Sequence, residues 1–177
     1  MNKLHFRKAA MATVLAVGTA LGGVAATGAA HADEGTAVID GKGDTHNDWA
    51  EDTLEEGDES HAVALWQTVL VADGAYWEDD GGALHQFTKD DITGEYNMST
   101  TSATKYWQKG KGLSETGEAN TKCFSAADNN LGTESKNGSV IYKGTIDKAT
   151  FKRKKVDGFN KKVYSVKFDG SYVPATY

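Results

Sequence analysis

The stretch Thr93-Gly94-Glu95-Tyr96, followed by Thr100-Thr101-Ser102-Ala103-Thr104-Lys105-Tyr106-Trp107-Gln108, then Gly112-Leu113 and Gly117, decides how this chain is read. Turn residues and one apolar helix face alternate in it. Ser99 or Thr100 caps a predicted helix from Thr101 to about Lys109, with Ala103, Tyr106 and Trp107 inward, and Gly110 and Gly112 stop it. A second turn lies at Thr116-Gly117. A third helix is predicted from about Asn120 to Asn129, with Cys123, Phe124 and Ala127 on one side. Toward the N-terminus, Ser60 to Val71 has helical periodicity: Val63, Trp66 and Leu70 share a face, with Leu65 and Val69 beside it. Asp58 or Ser60 opens that helix and Asp73-Gly74 closes it. Trp66-Gln67 and Trp107-Gln108 thus mark equivalent points on two helices. Between them, Tyr76-Trp77 leads into a turn-rich stretch, and Leu84 to Ile92 reads as a short helix or a loop.

After Gly132 the pattern changes. Ser139 to Lys143 and Ala149 to Val156 are strand candidates. Asp157-Gly158 signals a two-residue hairpin, and Phe159 to Phe168 returns with Tyr164, Val166 and Phe168 on one face. Asp169-Gly170 turns into Ser171-Tyr172-Val173, with the lone proline, Pro174, at the edge. The expected fold class is α+β: a small three-helix bundle over residues 60–133, followed by a C-terminal antiparallel β unit over 134–177.

Residues 1–32 read as a secretory signal. Lys3, Arg7 and Lys8 precede an uncharged run from Ala9 to Ala30, and Ala30-His31-Ala32 offers the small residues a signal peptidase reads. A chain exported this way is expected outside the cell, free or associated with the cell wall, without stable membrane insertion once the signal is cleaved. Cys123 is the one cysteine, so no intrachain disulfide forms, and its apolar neighbours suit a buried thiol.

Charge is segregated. Residues 33–59 form an acidic arm containing Asp40, Asp44, Asp48, Asp52 and Glu55, with few apolar residues besides Trp49 and Leu54. From Lys136 to Lys167 the sign reverses, giving a candidate basic surface at Lys152, Arg153, Lys154, Lys155, Lys161 and Lys162. For an exported chain the fitting partner is an anionic wall polymer, with no nucleic acid expected. The carboxylates spaced four apart from Asp40 to Asp52 do not follow an EF-hand ligand order and read as solvated charge.

The helical segment resembles the peptidoglycan-binding-domain-like family, the small three-helix modules of cell-wall hydrolases. Val63-Ala64-Leu65-Trp66-Gln67-Thr68-Val69-Leu70 is similar to that family's opening V-x-x-L-Q-x-x-L helix. Asp91 to Tyr96 stands at its first turn, Thr100 to Gln108 at its T-x-x-A-x-x-x-[FW]-Q helix, and Gly112 to Gly117 at its G-L-x-x-[DT]-G turn. Asn97 stands where the family's first turn has a second glycine. The resemblance covers about residues 60–131 and implies binding of peptidoglycan in a shallow groove rimmed by aromatic and amide side chains. Tyr76, Trp77, Tyr96, Tyr106, Gln67 and Gln108 are the candidate ligand residues. The tryptophans of the two pairs are expected in the core.

No catalytic constellation is visible. His46, His61 and His85 are dispersed, and neither H-E-x-x-H nor G-x-S-x-G occurs. No cofactor or metal is implied. The expected function is non-catalytic peptidoglycan binding. A secreted protein-interaction or inhibitor module using the basic hairpin is the alternative, and an accessory role in wall hydrolysis the next.

Overall fold

Helix α1 (His61–Asp73) is apolar round most of its circumference, with Ala62, Val63, Ala64, Leu65, Trp66, Val69, Leu70 and Ala72 all buried. A helix with so little polar face must be covered on most sides. A computed structural model describes residues 38–41, 45–49, 52–159 and 161–177, and the candidate signal segment lies outside them. Ser60 caps α1 by accepting from the Val63 amide. Gly74 ends the helix at φ 68°, and a Cβ there would meet the Ile146 side chain at 2.8 Å.

The strands are β1 (Asp40–Gly41), β2 (Tyr76–Glu78), β3 (Leu84–Gln86), β4 (Ser139–Lys143), β5 (Lys148–Lys155), β6 (Lys162–Phe168) and β7 (Ser171–Pro174). The main sheet is antiparallel and curled, in the order β1-β6-β5-β4, and β7 continues along the β6 edge that β1 begins. Helix α1 packs on β4, β5 and β6, and also on α2 (Met98–Gly110). Helix α3 (Thr121–Asp128) joins through Phe124, whose ring meets Trp66 edge-on at 5.5 Å. The hairpin β2–β3 is a separate pair packed on α2.

The expected three-helix bundle with a trailing β unit therefore does not hold. Helices and sheet share one apolar cluster, from Ile39 and Trp49 through Trp66 and Phe124 to Tyr142, Phe151 and Val166. The physical reason lies in α1. Counting Val63, Trp66 and Leu70 as its face overlooks Ala62, Ala64 and Ala72, which need cover too. The sheet supplies it: the Ala62 amide donates to the Thr176 carbonyl, and the Ile146 and Asp147 amides donate to the Ala72 carbonyl.

The described parts of the acidic arm belong to the same core. Trp49 is fully buried among Tyr164 (ring centroids 5.4 Å), Phe151 (5.5 Å), Phe124 (6.3 Å) and Tyr142 (6.4 Å). Leu54 is buried too, bridged to Ala119. Asp48 is not solvated charge: its carboxylate pairs with Arg153 Nε at 2.8 Å and accepts from the Tyr164 hydroxyl at 2.8 Å. Asp44 lies outside the described residues.

Three local readings also change. Asn97, not Ser99 or Thr100, caps α2 by accepting from the Thr100 amide. Leu84 to Ile92 becomes strand β3 followed by a 3-10 turn, Lys89–Asp91. The β5–β6 connection is longer than a two-residue turn, because Lys155 pairs with Lys162. This register sets Arg153 opposite Tyr164, so that both reach Asp48.

Asp73, the last residue of α1, ties the layers together. Its carboxylate accepts from Trp107 Nε1 of α2, from the Tyr142 hydroxyl of β4 (2.9 Å) and from the Thr145 amide (2.8 Å), and pairs with Lys111 at 3.2 Å. Burial alone would raise its pKa, but these hydrogen bonds and the Lys111 charge hold it below the usual value. Asp73→Ala leaves the Trp107 and Tyr142 donors unpaired and is expected to cost about 3 kcal/mol in urea unfolding. A fragment spanning 60–133 is expected to give no cooperative melt, whereas the whole chain unfolds in one transition. A folded fragment would refute the shared core.

Candidate functional site

The two Trp-Gln pairs build the scaffold of the site. Trp66 and Trp107 meet edge-on at 5.0 Å in the core. Gln67 and Gln108, also buried, each clamp the turn that starts the next helix. Gln67 Oε1 accepts from the Thr93 (3.0 Å) and Gly94 (2.9 Å) amides, and its Nε2 donates to the Glu95 carbonyl (2.9 Å). Gln108 repeats the arrangement: Oε1 accepts from the Gly117 amide (2.9 Å), and Nε2 donates to the Glu118 carbonyl (2.9 Å). The clamped segments are alike in sequence, Thr93-Gly94-Glu95-Tyr96-Asn97 and Thr116-Gly117-Glu118-Ala119-Asn120. In each the glycine has positive φ (77° and 83°) and the asparagine caps the following helix. This short T-G-E-x-N repeat is the signal that could have assigned both glutamines to structure.

Tyr96 also leaves the ligand set. It is fully buried, and its hydroxyl donates to the Gly117 carbonyl at 2.8 Å. Thr104 Oγ1 lies 2.8 Å from the same hydroxyl and accepts from Trp66 Nε1 at 2.9 Å. Every polar atom of this relay is used inside the core, and burial pushes the Tyr96 pKa well up.

The remaining candidates are on the surface. Tyr76 and Tyr106 are 37% and 45% exposed, with ring centroids 5.3 Å apart. Trp77 is half-buried and stacks on His85 at 4.7 Å with 27° between planes. It lines a groove of about 410 Å³ between the β2–β3 hairpin and the first turns of α2. Glu56, Glu78, Asp79 and Asp80 supply the acidic wall, and Ser99, Thr101 and Ser102 the hydroxyl wall. The hairpin is held to α2 by the Glu78 amide donating to Ser102 Oγ at 2.9 Å. Asp79 organises the hairpin end by accepting from the Gly81 and Ala83 amides, each at 2.9 Å, and by facing His85 Nε2 at 2.9 Å. The His85 hydrogen bond is the largest influence lowering the Asp79 pKa, so this carboxylate stays ionised as an acceptor. Sequence reasoning named Trp77 but read the neighbouring Asp79-Asp80 as solvated charge, and Glu56 reaches the groove from a segment distant in sequence.

A second depression, about 470 Å³, lies between the end of α2 and the start of α3, with Gln108 and Cys123 at its lining. Burial raises the Cys123 thiol pKa, and its sulfur is engaged with Gln108 Nε2 and the Glu118 carbonyl, which makes it a poor nucleophile. Among the described residues no group of three or more His, Cys, Asp or Glu side chains is arranged to hold a metal ion.

The candidate basic surface divides. Arg153 is only 6% exposed and bridges Asp48 and Glu134, so it is a core ion pair and not a surface charge. Lys162 pairs with Glu134 at 2.7 Å and Lys161 with Asp40 at 2.9 Å. Lys154 and Lys155 are exposed, and Lys152 lies half-buried against Ser139 Oγ. Comparison with protein-family models, with characterised proteins and with solved structures returns no match for this chain.

Two measurements test this assignment of roles. Gln67→Ala strands two turn amides and is expected to destabilise the protein by about 2 to 4 kcal/mol by denaturant titration. Asp128, 2% exposed, accepts from the Trp49 amide at 3.1 Å. Burial, with the nearby Asp48 charge, raises its pKa from 3.8 to about 6. Its folded-state pKa exceeds the unfolded one, so its contribution is fully present below pH 3.8 and is lost as pH rises through about 6. Asp128→Asn is expected to flatten the fall in stability across that window. An unchanged slope in melts at stepped pH would count against it.

Proposed function

We propose that this chain is an exported, non-catalytic protein that binds peptidoglycan, with the glycan strand lying in the groove between the β2–β3 hairpin and α2. The observation that carries the reading is the company Trp77 keeps: one indole beside four carboxylates, three hydroxyls, Met98 and the single cation Lys105 in an open groove. An aromatic ring stacks on the apolar face of a sugar, while carboxylates and hydroxyls bond its hydroxyl groups. Tyr76 and Tyr106, exposed and in contact, offer a second aromatic surface on the same hairpin and helix. The resemblance of the Trp-Gln helices and glycine turns to wall-binding modules supports the same ligand class. The signal-like segment at residues 1–32 supports a location outside the cell.

The protein is expected to sediment with purified insoluble peptidoglycan. Trp77→Ala should lower its affinity about tenfold while circular dichroism shows the fold retained, whereas Tyr96→Phe should leave affinity unaltered. Recovery of the wild-type protein in the supernatant at low salt would end the reading. Wild-type sedimentation of Trp77→Ala would move the ligand out of this groove.

A further inference from the structure

The outer face of the main sheet is a second feature, independent of the groove. Strand alternation aims Lys143 of β4, Lys148, Lys152 and Lys154 of β5, and Lys167 of β6 away from the core, because their neighbours Tyr142, Ala149, Phe151, Arg153 and Val166 are buried on the other side. Strands β4 to β7 contain no Asp or Glu. The carboxylates Asp147, Asp157 and Asp169 fall in the connecting turns. The outward carboxylate on β1, Asp40, pairs with Lys161. Among the described residues the ion pairs engage none of the five outward lysines.

This arrangement carries an energetic cost. Lys143 and Lys148 are direct cross-strand partners, and like charges so placed destabilise a sheet. Near the middle of the face Tyr172, 38% exposed, lies opposite Lys167, with the Lys152 ammonium 5.6 Å from its ring centroid. Along β5, residues two apart are about 7 Å apart, so Lys152 and Lys154 form a row that a flexible polyanion can follow.

We propose that this face binds a flexible phosphate polymer that carries no bases, as a site separate from the Trp77 groove. Charge complementarity selects an anion, and the chemistry of the face selects its kind. Lysine is a point charge on a mobile stem and suits tetrahedral phosphates at irregular spacing, whereas the one arginine of these strands is turned inward. A single tyrosine gives no platform for successive bases, which disfavours single-stranded nucleic acid. The exposed apolar side chains on the face, Ile141 and Tyr172, are too few for a membrane-inserting patch.

Long-chain inorganic polyphosphate is the probe, measured by calorimetry over a range of salt. The wild-type protein is expected to bind, with a logarithm of affinity that falls linearly with the logarithm of salt. Replacing Lys148, Lys152 and Lys154 together by Gln should weaken binding at least tenfold and reduce the salt slope by about 2, at roughly 0.7 per lost contact. Replacing Lys89, Lys109 and Lys122 by Gln should change neither. Trp77→Ala should retain polyphosphate binding even where it loses peptidoglycan, so failure of one site is distinguishable from failure of the other. Equal losses in both lysine triples would reduce the effect to net charge and overturn the proposal. Tighter binding to phosphatidylglycerol vesicles or to single-stranded RNA than to polyphosphate would overturn it as well. A folded sheet triple, verified by circular dichroism, that binds like the wild type would also overturn it.

Discussion

Helix α1 leaves only a narrow strip, at His61, Thr68 and Val71, partly open to water, and the rest of the chain is arranged to cover the remainder. Its alanines and leucines, with Val63, Val69 and Trp66, are buried round most of the axis. Burial of each large side chain contributes about 1.5 to 3 kcal/mol, which makes partial cover of such a helix unfavourable. The sheet takes one side and α2 another, and Trp66 links α2 and α3 through its edge contacts with Trp107 and Phe124. A free-standing helical module would have left the sheet-facing residues of α1 in solvent.

Two buried carboxylates then lock the layers in register. Asp73 gathers donors from α2, β4 and the following turn onto the end of α1. Asp48 gathers Arg153 and Tyr164 onto the arm that carries Trp49. Isolated, either charge would be costly to bury; each is surrounded by directed donors, and the geometry those donors require fixes which strand faces which. The register of β5 against β6 follows from this, since Arg153 and Tyr164 must sit side by side to share Asp48.

The same architecture sorts charge by surface. Carboxylates collect around the β2–β3 hairpin and its groove, while lysines collect on the outer face of the main sheet. A neutral glycan and a phosphate polymer make different demands, the first for stacking and hydroxyl acceptors, the second for mobile cations. The two polar surfaces belong to different layers, so the two proposed ligands would not compete for one site.

Much of this was legible in the chain itself. The three helices, the strand from Ser139 to Lys143, the return strand ending at Phe168 and the core placement of Trp66 and Trp107 follow from periodicity and turn chemistry, which are local. The T-G-E-x-N repeat was there to be read as well, and it would have placed Gln67 and Gln108 under their turns. The inward turn of Tyr96, Asp48 and Arg153 was not legible, because each is decided by partners distant in sequence: Gly117 for Tyr96, and one another for Asp48 and Arg153. Nor was the groove, whose Glu56, Trp77 and Thr101 meet only once α2 and the hairpin are packed. Sequence by itself determined which segments are helix or strand, since backbone preference and apolar period act over a few residues. Only the tertiary structure decided which faces meet, because that depends on satisfying every buried charge and every apolar side of α1 at once.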